Sequence, residues 1–405
     1  MNNRKNRKLF ITGYCLTPHQ RIGNGAILTQ GEKILAIGGD SGFVREPGLE
    51  VIELPDCYAT PGFVDSHIHG SGGFDSCAAS ADGVDINEMC KVLARHGVTS
   101  FVPTVISAPP EKILSNLDIL TTMLSRPDYP GAEPVGIHIE GPFINRLKHG
   151  SQRVEDIRDI DLGLAREIIA AGKGKLKVVT FAPELENAVK FIELLLENHI
   201  HPAMGHSIAG EQDILRAVDA GARRCTHLYN GMPPLHQRNA SLGAVALTDD
   251  RITIEMILDG SYLLHPRMLD LACRAKPKDK LIGISDCVQG ADLRDGHYHL
   301  GLSEIEVHGG LATTADGTLA GTTLNLAKGW QCLKNYSHLN NNEAAACVTI
   351  NPALSLDLDD RGLLRPGKRA DISFFYQKTN EARLTVSRGR IVFDAEGKYQ
   401  PPQPQ

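Results

Sequence analysis

Two histidines one residue apart, His67 and His69 in PGFVDSHIHGSGGFD, follow an apolar run and precede a glycine-rich stretch. Residues i and i+2 of a strand point to the same side, so both imidazoles can face one ion. Alone, such a pair is a weak signal, because structural or exposed histidines share that spacing. Its weight comes from Glu140 in VGIHIE, His206 in HPAMGHS, His227 in RCTHLYN and Asp286 in LIGISD, each at the end of a strand-like apolar run. Imidazole nitrogens and carboxylate oxygens suit Zn²⁺, and the carboxylate of Glu140 could bridge two ions. The chemistry this implies is metal-assisted hydrolysis, in which bound ions acidify water and polarise a carbonyl. Asp286 is placed to act as base toward the water and then as acid toward a leaving amine. Its plainer alternatives are a helix N-cap or a simple ligand. His138 shares the orientation of Glu140 one layer deeper and is expected to be a buried, hydrogen-bonded core histidine.

Something must hold these residues at one mouth, and from Thr60 onward the chain alternates short apolar runs with amphipathic helices. Eight runs end at FVDSHIH, SFVPTV, VGIHIE, LKVVTFAPE, HPAMGHS, RCTHLYN, ITIEMILDG and LIGISD. Ile86, Met89, Cys90, Leu93 and Ala94 form one apolar helical stripe, and Leu185, Ala188, Val189 and Ile192 are expected to form another. The pattern predicts an α/β fold, a (β/α)₈ TIM barrel over residues 61–361 with one or two longer insertions. Such barrels place their active sites at the C-terminal ends of the strands. Residues 1–60 and 362–405 have a different texture, short alternating strands with turn signals, and neither flank can bury a sheet face alone. Together they predict a small discontinuous β-sandwich, with a disordered PPQPQ tail.

With 405 residues and 42 % hydrophobic content, the chain can bury a large core. Its net charge of −6 and dispersed basic residues argue against nucleic acid as a partner. The basic start MNNRKNRKLF is followed by no apolar h-region and no run of membrane-span length, so neither export nor insertion is expected. Nine cysteines without a C-x-x-C pair fit free thiols in a reducing compartment, which points to the cytoplasm.

The segments PGFVDSHIHGSGG, GIHIEGPFIN, MGHSIAG, CTHLYNGMPPLH, ISD, DGTLAGTTLNL and NPALSLDLDDRGLLRPGKRADI resemble the N-acetylglucosamine-6-phosphate deacetylases of the amidohydrolase superfamily through nearly the whole chain. The resemblance implies a metal-dependent barrel with a flanking β-sandwich, usually dimeric, that cleaves an acetamide from an amino-sugar phosphate. By analogy Glu140, His206 and His227 hold the principal metal. His67 and His69 look like those of two-metal members and hold a second ion, with Asp286 as catalytic acid/base and ligand. One or two divalent ions are implied; Zn²⁺, Fe²⁺ and Mn²⁺ all accept these ligands. The carried-over substrate contacts are Gln152, Asn230, Gly231, Arg238, Tyr262 and Leu319, with Arg238 reaching a phosphate across a homodimer interface. Three places depart from the family pattern. Asn239, Ala240 and Ser241 replace Glu-Pro-Gly, Tyr262 replaces a substrate-contacting histidine, and Gln152 stands where many members have a carbonyl-polarising histidine. The hydrolytic core therefore looks intact and the substrate pocket altered, which keeps a different N-acyl sugar or a cyclic amide open as substrate. A catalytically silent sugar-phosphate sensor is disfavoured, because it has no need of a proton shuttle beside the metal.

Overall fold

Strands β1 (Arg7–Leu16), β2 (Arg21–Gln30), β3 (Lys33–Gly39) and β4 (Glu50–Pro61) open the chain. The computed structural model describes residues 6–17, 20–80 and 83–399, so the PPQPQ tail and the first five residues lie outside it. β1 pairs antiparallel with β2 and parallel with β4. A single glycine, Gly62, then separates β4 from the barrel.

The eight apolar runs become eight parallel strands: β5 (Phe63–Ile68), β6 (Val98–Ile106), β7 (Ile137–Glu140), β8 (Leu176–Phe181), β9 (His201–Met204), β10 (Arg224–Cys225), β11 (Thr253–Ile257) and β12 (Leu281–Ile284). Each pairs with the next along the chain. Every residue of β5, β6, β7 and β12 is buried, as strands covered on both faces must be. Between β12 and β5 the gap is closed by bonds just beyond the strands. Ser285 N–H donates to Asp65 Oδ1 at 3.2 Å, Asp286 N–H to the His67 carbonyl at 3.1 Å, and His69 N–H to the Cys287 carbonyl at 2.8 Å.

Helices α1 (Ile86–Ala94), α2 (Pro110–Met123), α3 (Leu162–Ala171), α4 (Ala188–Glu197), α5 (Glu211–Ala220), α6 (Leu242–Thr248) and α7 (Pro266–Ala275) connect successive strands. In α1 the expected stripe is buried, and Asp85 caps the helix by accepting from Asn87 N–H at 2.8 Å. The stripe expected after the fourth strand needs correction. Asn187 is left-handed (φ 67°) and α4 begins only at Ala188, so Leu185 belongs to the preceding turn. The buried face is Ala188, Phe191, Ile192 and Leu195, whereas Val189 is 40 % exposed.

After β12 comes an antiparallel sheet that the sequence reading did not resolve beyond a long insertion: β13 (Gly296–Leu300), β14 (Ser303–His308), β15 (Leu311–Thr314) and β16 (Leu319–Thr322). It packs Leu300, Ile305, Val307 and Ala320 against Cys77, Ile106 and Val288 of the barrel. Helix α8 (Leu326–Tyr336) follows, and the chain closes with β17 (Ile372–Tyr376), β18 (Ala382–Ser387) and β19 (Arg390–Asp394). β17 pairs antiparallel with β4, so both chain ends build one seven-stranded sheet, ordered β19-β18-β17-β4-β1-β2-β3. The expected sandwich is one sheet curled on itself: Lys33 at its far edge bridges Arg369 just ahead of β17. Its core holds Phe10, Ile27, Ile52, Phe374, Leu384 and Val386. Among the described residues no helix is long and apolar enough to cross a membrane.

An aromatic cluster joins sheet to barrel. Phe375 of β17 stacks on Phe63 (5.1 Å between ring centroids) and Tyr58 (5.6 Å), and lies 5.7 Å from Trp330 of α8. Phe375 is fully buried, so Phe375→Ala is expected to cost about 3–5 kcal/mol. Trp330 is the only tryptophan, so its fluorescence during chemical denaturation reads this junction directly. A loss below about 1 kcal/mol would show that the cluster does not join the two parts.

Candidate metal centre and active site

Six candidate ligands stand at strand ends facing one barrel mouth, and none is more than 6 % exposed. β5 delivers His67 and, one step past its end, His69, while β7 ends on Glu140. His206, His227 and Asp286 lie just beyond β9, β10 and β12, with left-handed backbones of φ 47°, 26° and 53°. Such φ values cost a non-glycine residue about 1–3 kcal/mol and persist where the surroundings enforce them. Two glycines make room for the His206 ring. A Cβ on Gly231 (φ +60°) would fall 2.9 Å from His206 Nδ1, and one on Gly150 would fall 3.2 Å from its Cε1.

Glu140 sits at the centre. Its Oε1 lies 2.7 Å from His227 Nε2 and 3.2 Å from His206 Nε2, and those two nitrogens are 3.1 Å apart. Its Oε2 lies 3.4 Å from His69 Nε2 and 3.7 Å from His67 Nε2. Asp286 Oδ1 faces the same two nitrogens, at 3.1 Å from His69 and 3.4 Å from His67. The ligand atoms thus fall into two sets, Glu140 with His206 and His227, and His67 with His69 and Asp286.

Whether these residues suit a cation is decided by where the ring protons are. His206 Nδ1 donates to the Lys148 carbonyl (2.6 Å), His69 Nδ1 to the Thr104 carbonyl (3.2 Å) and His67 Nδ1 to Glu255 Oε2 (3.0 Å). With Nδ1 protonated in each, the Nε2 lone pair is turned inward. The bare Nε2 atoms of His206, His69 and His67 therefore face carboxylate oxygens, acceptor against acceptor. His67 Nε2 and Asp286 Oδ1 are buried with no hydrogen-bond partner. A divalent cation between them resolves the conflict, so the donor set fits one. Burial alone would lower the His67 pKa, but Glu140 and Glu255 outweigh it and hold it well above the ordinary histidine value. Burial likewise opposes ionisation of Glu140, yet the imidazoles hold its carboxyl well below the usual range. Both shifts describe a pocket that favours positive charge at its centre.

His138 is the core histidine expected, bonded to Thr104 Oγ1 (3.3 Å) and Thr180 Oγ1 (2.8 Å). Burial and the neighbouring His67 hold its pKa well below the ordinary value, so it stays neutral. The sequence reading passed over Glu255 and Arg224. Both are fully or almost fully buried, and both are charged residues within otherwise apolar strands, which was the available signal.

Above the ligands lies a cavity of about 240 Å³. Gln152, Asn230, Gly231 and Leu319 line it, as does Asp286. Ser107 N–H donates to Gln152 Oε1 at 3.0 Å, which fixes the amide so that its Nε2, without a partner, is free to donate. Asn230 Nδ2 is likewise buried and unpartnered. The structure does not bring Arg238 or Tyr262 into this cavity. Arg238 is exposed on the 234–240 loop. Tyr262 is 59 % exposed because Asp259 gathers the N–H groups of Tyr262, Leu263 and Leu264 (2.6, 2.8 and 2.9 Å) into a turn; Leu263, not Tyr262, lines the cavity. His265 cannot replace the missing histidine, since its Nδ1 caps α7 by accepting from Arg267 N–H at 3.2 Å. Ile106, Ile257, Leu300 and Thr318 also line it, Leu300 from β13 of the unforeseen sheet and Thr318 from the turn just before β16.

Comparison with known proteins agrees with this geometry. The sequence profile of the amidohydrolase family matches residues 58–392. The chain is 34 % identical over 382 residues to the N-acetylglucosamine-6-phosphate deacetylase of Bacillus subtilis (strain 168), covering 93 % of this chain and 95 % of that one. It is 35 % identical over 313 residues to the N-acetylgalactosamine-6-phosphate deacetylase of Escherichia coli O157:H7, covering 77 % and 82 %. A mutant N-acetyl-D-glucosamine-6-phosphate deacetylase from Mycobacterium smegmatis, solved in complex with N-acetyl-D-glucosamine-6-phosphate, superposes with a TM-score of 0.87 at 29 % identity over 96 % of this chain and 99 % of that one. The chain belongs to the amidohydrolase family, in the branch of the N-acetylglucosamine-6-phosphate deacetylases.

Proposed function

We propose that this chain hydrolyses the acetamide of an N-acetylated amino-sugar 6-phosphate, releasing acetate and the amino-sugar phosphate, as a cytoplasmic homodimer. The observation that carries the reading is the pairing of inward-facing ligand lone pairs with two unpartnered amide donors, Gln152 Nε2 and Asn230 Nδ2, at the same cavity. The two ligand sets support two divalent ions, Zn²⁺ foremost and Fe²⁺ or Mn²⁺ as alternatives. When bound, such ions supply Lewis acidity and bring the pKa of water toward neutrality.

The chain's own residues do the rest. Gln152 Nε2 donates to the acetyl carbonyl oxygen, where negative charge grows as water adds to the carbon. Asp286 takes the proton of the attacking water. As the C–N bond breaks, Asp286 returns that proton to the departing amine, so acetate and a free amino group leave. Asp286→Asn is expected to keep substrate binding and lower kcat by about 10² to 10⁴. Near-native turnover in that variant would reduce Asp286 to a structural role.

Among the described residues neither lysine nor arginine lines the cavity. An arginine supplied by a second subunit is therefore the natural partner for a 6-phosphate, and Arg238, exposed on its loop, has a guanidinium fork suited to phosphate. The outward Tyr262 and the altered 239–241 segment support a second reading, a different N-acyl sugar. Acetate release from the gluco- and galacto-configured N-acetyl amino sugars, each with and without the 6-phosphate, separates these. The phosphorylated forms should be preferred, and Arg238→Ala should lower kcat/KM on them about 10- to 150-fold, the worth of a charge-assisted hydrogen bond, with little effect on the free sugars. Equal losses on both, or no preference in the parent enzyme, would mean that the pocket serves another N-acyl substrate.

A further inference from the structure

We propose that Glu255 is a positioning residue that ties the two ligand sets together through one carboxylate, holding His67 by its ring and His227 by its backbone. The inference rests on the two-ion reading above and extends it to a residue outside either ligand set. Glu255 Oε2 accepts from His67 Nδ1 at 3.0 Å and from His227 N–H at 3.3 Å. The Glu255 carbonyl accepts from Leu228 N–H at 2.8 Å, so the turn that carries His227 is bonded twice to this one residue of β11.

The other oxygen is equally committed. Arg224 Nε donates to Glu255 Oε1 at 2.5 Å, and its two terminal nitrogens donate to Ser66 Oγ (2.6 Å) and Ser355 Oγ (3.0 Å). Ser66 is the residue before His67, so Arg224 braces β5 from one side while Glu255 orients the His67 ring from the other. Both members of the pair are buried and held rigidly, as a carboxylate must be if it is to fix a ring to within a few tenths of an ångström. The carboxylate makes His67 a better donor at Nε2, because it stabilises the proton on Nδ1. Contact with a ring is more direct than contact with a backbone amide, so the His67, His69, Asp286 set should depend on Glu255 more than the Glu140, His206, His227 set does.

The test is stepwise metal affinity, measured by competition between a chromogenic chelator and the purified full chain loaded with Zn²⁺, with Co²⁺ absorption as a geometric readout. Three variants are used. Glu255→Asp keeps a negative charge beside Arg224 but withdraws the carboxylate from His67. Glu255→Gln removes the charge. Arg224→Met with Glu255→Gln removes both charges, so the fold is not asked to bury a lone guanidinium. The expected result is a weakening of the second ion by about 10- to 100-fold in each folded variant, with a changed Co²⁺ spectrum and the first ion nearly unaffected. A purely structural role would lower the denaturation midpoint and leave both affinities at parent values, which would overturn the inference. Uptake of only one ion by the parent protein would overturn the two-ion reading and this inference together; two ions in the parent and unchanged affinities in the variants would overturn this inference alone.

Discussion

The Nε2 atoms of three pinned imidazoles are held with their lone pairs turned toward the oxygens of two carboxylates, beside the ring of His227, and most of the structure around them exists to keep them so. Left to relax, the rings would rotate and the carboxylates would find donors. They do not, because three of the four rings are pinned through Nδ1 by the carbonyls of Lys148 and Thr104 and by Glu255. Glu140 is the hinge of the arrangement, with one oxygen toward each ligand set. Concentrated negative potential in a buried place is unfavourable by itself. A cation turns that cost into affinity, and this is why the centre reads as a binding site and not as a packing accident.

A barrel suits the task because it brings the ends of non-adjacent strands to one mouth. The candidate ligands come from β5, β7, β9, β10 and β12, each fixed by pairing on both sides or by the closing bonds between β12 and β5. The left-handed turns at His206, His227 and Asp286 are the local strain that this convergence requires. The antiparallel sheet after β12 is fastened to the same mouth. Thr322 N–H donates to the Asp286 carbonyl and Thr322 Oγ1 to the Ser285 carbonyl, both at 2.8 Å. The strand that offers Leu319 to the cavity is thereby bonded to the turn that offers Asp286.

Much of this was legible in the sequence, for physical reasons. Apolar runs bounded by helices mark barrel strands, and a ligand-type residue closing a run must sit at the mouth, so His67, Glu140, His206, His227 and Asp286 fell into place together. That the two chain ends pair with each other followed from the fact that neither flank could cover its own sheet. What stayed hidden depended on neighbours far apart in sequence. Glu255 matters because of His67, 188 residues away, and no spacing rule reports that pairing. Strands β13 and β14 alternate buried positions with exposed histidines and glutamates, a faint pattern between glycines, so they looked like an insertion without form. The outward turn of Tyr262 is set by Asp259, a backbone interaction that residue type alone does not announce.

The central proposal is that the two residue sets that meet at Glu140 would hold two ions. Metal content per chain, measured by inductively coupled plasma mass spectrometry on protein loaded with Zn²⁺ and freed of excess metal, tests it most directly, with the His67→Asn, His69→Asn double variant alongside. Two ions in the parent chain and one in the variant is the result the account requires. A single ion in the parent, or two retained by the variant, would contradict it.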